Sequence, residues 1–290
     1  MRVFGGVDAA LEMWRQDPQR ALGGVDRMVA DAEAHNVRLV MSNYPDLSMI
    51  SALAGRNYPS WAAAQQDLVT PGSVPYERFG QWLADVVPRV AAHPAVLAWE
   101  VVNEPGYMLG IDAETVDVDA GLAFVSHFAD LMHQLGARTV AGGGRPVFDP
   151  TRLSDAQLAN YAGHIDVLDD HLYPETAVVG DHGASANDAR AAVAYTAAWF
   201  DRARRLTGRP DMPAMLGEVA SQPPEWFNVV QAMATRNGWP VLAWGFDAYD
   251  ENDFTDLVRP DVLRSLSDAS DAAARVNGRF PVLVGAPRCW

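Results

Sequence analysis

Leu97-Ala98-Trp99-Glu100-Val101-Val102-Asn103-Glu104-Pro105 decides how the rest of the chain is read. Apart from Glu100 it is apolar up to Val102, the make-up of a strand covered on both faces. Pro105 stops it, because proline cannot donate to a sheet ladder. An Asn-Glu pair is left at the carboxyl end, which in a barrel of parallel strands is the end that carries chemistry. Far downstream, Pro213-Ala214-Met215-Leu216-Gly217-Glu218 repeats the form, an apolar strand and then a glutamate. Glu100 shares the parity of Glu104 on an extended strand. It reads as a buried structural carboxylate paired with an arginine or a hydroxyl.

Strand-like and helix-like segments alternate around these two stretches. Strands are expected at Val3-Phe4, Val37 to Met41, Ala95 to Val102, Arg138 to Ala141, Ile165 to Leu172, Ala214 to Glu218 and Val241 to Phe246. Helical spacing of apolar residues marks Leu22 to His35, Tyr76 to Ala92, Ala120 to Leu135, Asp188 to Leu206, Pro224 to Arg236 and Asp261 to Arg275. Tyr44 to Val74 reads as one long loop, and Gly142-Gly143-Gly144 as a flexible turn. Repeated βα units with apolar strands predict an α/β fold. Carboxylates at strand ends favour a TIM (β/α)8 barrel over an open sheet. With no composition break, residues 1–290 are expected to form a single catalytic domain. The usual first βα unit is missing from this count, since Arg2-Val3-Phe4 already behaves as a second strand. Phe280-Pro281-Val282-Leu283-Val284-Gly285 is apolar enough to fill the gap.

Composition narrows the partners. The chain has 290 residues, 49% hydrophobic and 20% charged, with a formal net charge of -15. All 22 basic residues are arginine. Such an acidic surface argues against nucleic acid and anionic membrane as partners, and is neutral towards an uncharged sugar polymer. Cys289 is the one cysteine, so neither an intrachain disulfide nor a cysteine metal site is expected. No stretch approaches the ~20 apolar residues of a membrane span, and no signal peptide is read at the start. The histidines lack metal-ligand spacing, and the triple glycine is followed by no Lys-Ser/Thr, so neither a metal nor a phosphate loop is expected.

Two strand-end carboxyls facing each other across a barrel are what retaining glycoside hydrolysis needs. One attacks the anomeric carbon and the other protonates the leaving oxygen, at a separation of roughly 5–5.5 Å. Asn103-Glu104-Pro105 after Trp99-Glu100-Val101-Val102 resembles the acid/base strand of clan A glycoside hydrolases, particularly family 5. Gly217-Glu218 resembles the nucleophile strand of that family. His171-Leu172-Tyr173-Pro174 resembles its His-x-Tyr motif, and Ala243-Trp244-Gly245 its eighth-strand tryptophan.

The resemblance covers about residues 1 to 265. It implies Glu104 as general acid/base, Glu218 as nucleophile and Asn103 as a hydrogen-bond partner of the sugar 2-hydroxyl. It further implies Tyr173 as a donor to the nucleophile, His171 in the same subsite, Trp244 as the floor under the reacting sugar and Arg2 beside the nucleophile. The family's third-strand histidine is replaced by Ser42-Asn43-Tyr44, where Asn43 or Tyr44 takes over the polar contact. Trp61, in the long loop, is the candidate for an outer sugar subsite. By the same resemblance the substrate is a β-linked glucan, mannan or related β-glycoside, no cofactor is required and secretion is suggested; a monomer is expected. Two alternatives use the same residues: a catalytically impaired carbohydrate-binding barrel, and a transglycosylase. Taken singly, each residue has a plainer reading. A strand-end glutamate can be a solvated loop residue, His171 a structural histidine, Trp244 core packing, and Asp169 and Asp170 buried supports.

Overall fold

The computed structural model describes residues 2–6, 8–174, 185–220 and 224–244. The elements run β1 (Arg2–Gly6), α1 (Asp8–Gln16), α2 (Pro18–Ala34), β2 (Leu39–Asn43), α3 (Leu47–Ala54), α4 (Trp61–Val69), α5 (Val74–Val90), β3 (Val96–Glu100) and α6 (Pro105–Met108). They continue α7 (Val118–Gln134), β4 (Val140–Ala141), α8 (Asp155–His164), β5 (Leu168–Leu172), α9 (Ala186–Thr207), β6 (Ala214–Ala220), α10 (Pro224–Arg236) and β7 (Val241–Trp244). All seven strands anticipated from the sequence are present, each within a few residues of its expected place. The expected helix over 261–275 and the gap-filling 280–285 segment lie outside the described residues.

The long loop expected between Tyr44 and Val74 instead holds two helices. Both are fixed by local capping that the apolar periodicity does not reveal. Asp46 accepts the Met49 N–H at 2.7 Å to start α3, and Ser60 accepts the Ala63 N–H at 3.2 Å to start α4. Ser154 and Gln157 likewise form a reciprocal capping box that opens α8.

The chain divides into two compact units. The larger comprises Arg2–Leu168 with Ala203–Met212. Its sheet has the order β1-β2-β3-β4, all parallel, with Arg2 opposite Val40, Met41 opposite Trp99 and Glu100 opposite Ala141. A bridge from Ala141 to Val167 continues it. Every residue of β2 is buried, as a strand covered on both faces requires. Between α5 and α7 lies an aromatic cluster in which Phe79 and Phe124 each pack on Phe128, with ring centroids 4.9 and 4.6 Å apart. Such edge-to-face and tilted contacts add to the area the rings bury.

The other unit is built, among the described residues, on 169–174, 185–202, 213–220 and 224–244. Its strands run in the order β5-β6-β7, and β6 and β7 are parallel with Leu216 opposite Val241 and Ala220 opposite Trp244. Every residue of β6 is buried. Phe200 of α9 packs edge-on against Trp199 and Trp239, at 4.5 and 5.0 Å. No helix among the described residues is long and apolar enough to cross a membrane.

Candidate active site

In the larger unit, β3 leaves its ladder at Glu100 but its successors stay anchored. The Asn103 N–H donates to the Asn43 carbonyl at 2.7 Å, and the Glu104 N–H to the Gly143 carbonyl at 2.6 Å. Glu104 is thereby held at φ 41°, ψ 68°, a left-handed conformation rare for a side chain of this size. It immediately precedes the single turn of α6, and its carbonyl accepts the Met108 N–H at 2.8 Å. Its side chain is half-buried. Asn103 is 3% exposed, and its Oδ1 has no hydrogen-bond partner among the described residues. A buried amide oxygen left open is costly, which suits a group whose partner arrives with a ligand.

The triple glycine read as a flexible turn is instead a buried wall behind Glu104. Tyr161 donates its hydroxyl to the Gly142 and Gly144 carbonyls at 3.0 and 3.3 Å. Gly143, at φ +71°, lies so close to the Val102 carbonyl that a Cβ there would overlap it. Close approach and left-handed backbone together demand glycine.

Arg2 and Glu100 form a buried ion pair. The Arg2 Nε and Nη2 donate to Glu100 Oε2 at 2.8 and 2.5 Å, with side chains 3% and 0% exposed. This is the arginine partner foreseen for Glu100. Asn43 has a different task from the expected sugar contact. Its amide donates to the Glu100 and Val101 carbonyls at 3.3 and 3.0 Å and accepts the Trp82 indole N–H at 3.1 Å. It is a brace between β2, β3 and α5, because both of its N–H groups are spent on β3.

Asp112 was not visible as a candidate in the sequence. Its Oδ1 accepts the Phe148 N–H at 2.7 Å, and its other carboxylate oxygen packs against Gly106. Burial pushes its carboxyl above the ordinary value. The Phe148 N–H and the Arg152 charge pull it back, the Glu104 charge adds to the rise, and Arg145 lowers it slightly. Trp61 is the first residue of α4, not part of an irregular loop. It stands edge-on to Tyr107 at 5.1 Å and lines an open cleft with it.

In the other unit, β5 and β6 bring three expected residues together. The Tyr173 hydroxyl hydrogen-bonds the Glu218 carboxylate, and His171 Nδ1 lies 3.7 Å from the same carboxylate oxygen. On its far side His171 Nε2 is 3.8 Å from Asp169 Oδ2. Asp169 Oδ1 accepts the Gly217 N–H at 2.7 Å, which ties β5 to β6 one residue before Glu218. Asp170 accepts from the Thr196 hydroxyl at 2.6 Å, the Trp199 indole at 3.1 Å and the His171 N–H at 2.8 Å. The supporting reading of both aspartates therefore holds. Trp244 ends β7 opposite Ala220.

No protein-family model matches the chain, and no match is found among curated proteins. Solved structures do resemble it. Endo-glycoceramidase II from Rhodococcus sp., described as a lactosyl-enzyme intermediate, is 17% identical with a TM-score of 0.51, covering 78% of this chain and 60% of that one. Endoglucanase Cel5A of Pseudomonas stutzeri is 15% identical with a TM-score of 0.53, covering 86% of this chain and 73% of that one. The chain thus spans about 60% of the length of the Rhodococcus protein. At these identities the likeness establishes the fold, which is the TIM-type βα barrel of parallel strands that the sequence predicted.

Proposed function

We propose that the chain is a retaining glycoside hydrolase, with Glu218 as nucleophile and Glu104 as general acid/base, acting on a β-linked glucan, mannan or related β-glycoside. The observation that carries this reading is the Tyr173–Glu218 hydrogen bond with His171 beside it. A hydroxyl that donates to a carboxylate fixes where its oxygens point, as a nucleophile requires. The Rhodococcus structure's description as a lactosyl-enzyme intermediate supports a covalent route.

In the first step a Glu218 oxygen attacks the anomeric carbon while Glu104 gives its proton to the departing glycosidic oxygen. The products are a glycosyl ester on Glu218 and the free aglycone. In the second step Glu104, now ionised, takes a proton from water, the hydroxyl adds to the anomeric carbon, and the Glu218 carboxylate leaves with its electron pair. Two inversions return the original configuration, and the two carboxyls must stand roughly 5–5.5 Å apart. Asn103 is suited to bind the sugar 2-hydroxyl through its uncommitted amide oxygen or its N–H groups. By the family resemblance Trp244 is the residue assigned to the floor under the reacting ring. Arg2 and Asn43 act from behind β3 and hold its carboxyl end in place.

The test is hydrolysis of aryl β-glycosides, β-glucans and β-mannans by the wild-type protein, Glu218→Ala and Glu104→Ala. Both variants should lose activity on the polysaccharides, with azide rescuing Glu218→Ala to a product of inverted configuration. A folded wild-type protein inactive on the whole panel would turn the reading towards a binding barrel, and full activity in Glu218→Ala would overturn it. Sugar acceptors intercepting the intermediate would identify a transglycosylase.

A further inference from the structure

Gln65 is a polar residue on the inward face of α4. It is 3% exposed, and Ala64 and Leu68 beside it are fully buried. Burying an amide costs free energy unless its polar atoms find partners. Among the described residues, every hydrogen bond of the Gln65 side chain goes to the segment that follows Glu104. Its Nε2 donates to the Tyr107 and Met108 carbonyls at 3.2 and 3.0 Å. Its Oε1 accepts the Thr115 hydroxyl at 3.1 Å, and that hydroxyl also faces the Gly110 carbonyl at 3.1 Å. Gln66, one residue on, donates to the Thr115 carbonyl at 2.8 Å.

The segment so gripped is short of support of its own. Helix α6 is a single turn, and the last carbonyls of a helix have no partner within it. Gln65 satisfies two of them and so fixes the end of the turn. The start of the turn is Glu104, whose carbonyl accepts the Met108 N–H at 2.8 Å. Met108 therefore links the Gln65 amide to the Glu104 backbone through one hydrogen bond on each side. The left-handed conformation of Glu104 is of the kind that persists only where the surroundings over-determine it. The Gly143 carbonyl holds Glu104 from one side, and Gln65 holds the turn from the other. The fit is close: a Cβ on Gly110, at φ +80°, would stand 2.6 Å from Gln65 Oε1. The Asp112 N–H returns to the Gly106 carbonyl at 2.9 Å and closes the loop on itself.

We propose that Gln65 is a positioning residue for Glu104: it clamps the α6 turn so that the carboxyl stays aimed at the departing glycosidic oxygen. The inference rests on the reading of Glu104 as general acid/base. It gives α4 a part in bond cleavage without any contact to the reacting atoms. A proton donor displaced by about 1 Å can lose a hundredfold in rate. Which reactions suffer follows from the leaving group. A weakly basic one departs with little help from a proton donor, and a strongly basic one needs it. A loosened Gln65 clamp therefore harms substrates in order of leaving-group basicity. A glutamine that only stabilised the fold would harm all of them alike.

The test compares kcat/KM on the phenyl and dinitrophenyl β-glycosides of cellobiose and mannobiose. The full chain is assayed as wild type, Glu104→Ala, Gln65→Met, Thr115→Val and Leu68→Ala. Dinitrophenoxide is a far weaker base than phenoxide. Methionine keeps the length of glutamine and donates nothing. Gln65→Met should lower kcat/KM on the phenyl substrate by about 10- to 100-fold. It should raise the dinitrophenyl-to-phenyl ratio by about tenfold. Leu68→Ala, an apolar change at a fully buried place on the same helix, should lower the urea midpoint and leave the ratio as it was. Thr115→Val removes only the hydroxyl that holds Gln65 Oε1 and should shift the ratio the same way. It decides the question should Gln65→Met fail to fold. The inference is overturned by equal losses on both leaving groups in the folded variant, or by no loss on either. Glu104→Ala separates the two claims. A raised ratio there with an unchanged one in Gln65→Met sinks the Gln65 role alone. An unchanged ratio in Glu104→Ala, or a wild-type chain inactive on every substrate, sinks the acid/base reading and the Gln65 role with it.

Discussion

The hydroxyl of Tyr173, just beyond β5, donates to the carboxylate of Glu218 on the neighbouring strand β6. A hydrogen bond to an ionised group contributes about 1.5–3 kcal/mol. If Glu218 is the nucleophile, Tyr173→Phe should lower kcat/KM on an aryl β-glycoside by roughly 10- to 150-fold. Its circular dichroism spectrum should be native. An unchanged rate would remove Tyr173 from the site.

Gly217 has no room for a side chain. A Cβ there would stand 2.5 Å from both carboxylate oxygens of Asp169, one of which already accepts the Gly217 N–H. Gly217→Ala should therefore push β5 and β6 apart at the residue before Glu218. We expect a loss of about 1–3 kcal/mol, the usual cost of overpacking, read by urea denaturation. A fall in kcat larger than that of equally destabilised core variants should accompany it.

The Arg2–Glu100 pair is buried on both sides. Breaking such a pair from one side strands the other charge and costs about 3–5 kcal/mol, whereas replacing both partners with apolar residues is often neutral. Arg2→Ala should thus be strongly destabilised in urea, and the double variant Arg2→Met with Glu100→Leu should recover most of the loss. Equal damage in the single and double variants would mean that the pair also supports something beyond itself.

Asp112 gives a pH test. Folding raises its pKa, mainly by burial. The folded state therefore holds the proton more tightly than the unfolded chain does. That contribution is complete below the unfolded value of ~3.9 and is lost as pH rises through the higher folded value. Asp112→Asn keeps an oxygen to accept the Phe148 N–H and never ionises. Its Tm relative to the wild type should rise with pH across that window and level off above it. A pH-independent difference would show that ionisation at Asp112 is not linked to folding.

Much of the architecture was legible because it obeys simple periods. Seven strands and the helices at Pro18–Ala34, Val74–Val90, Val118–Gln134, Ala186–Thr207 and Pro224–Arg236 follow from runs of apolar residues and from helical spacing. Helices α1, α3, α4, α6 and α8 escaped. They are short, and α3 and α4 sit in a region that looks like connection. Their starts are set by single capping side chains, Asp46 and Ser60, more than by an apolar stripe. The grouping of His171, Tyr173 and Glu218 was readable from motif order. The bracing role of Asn43 was not, because a polar residue at a strand end looks the same whether it faces a ligand or a neighbouring strand. Asp112 was hidden for a similar reason. Nothing in Gly110-Ile111-Asp112 marks it, and its partner, the Phe148 N–H, comes from a distant part of the chain.

Glu104 occupies a left-handed backbone at φ 41° that costs a non-glycine residue about 1–2 kcal/mol. Glycine or asparagine would rest there more easily. A laboratory evolution scheme that rewarded only folded yield would tend to erase this glutamate, while one that rewarded turnover would keep it if Glu104 is the acid/base. The position is therefore a natural marker for which pressure a lineage of variants has felt.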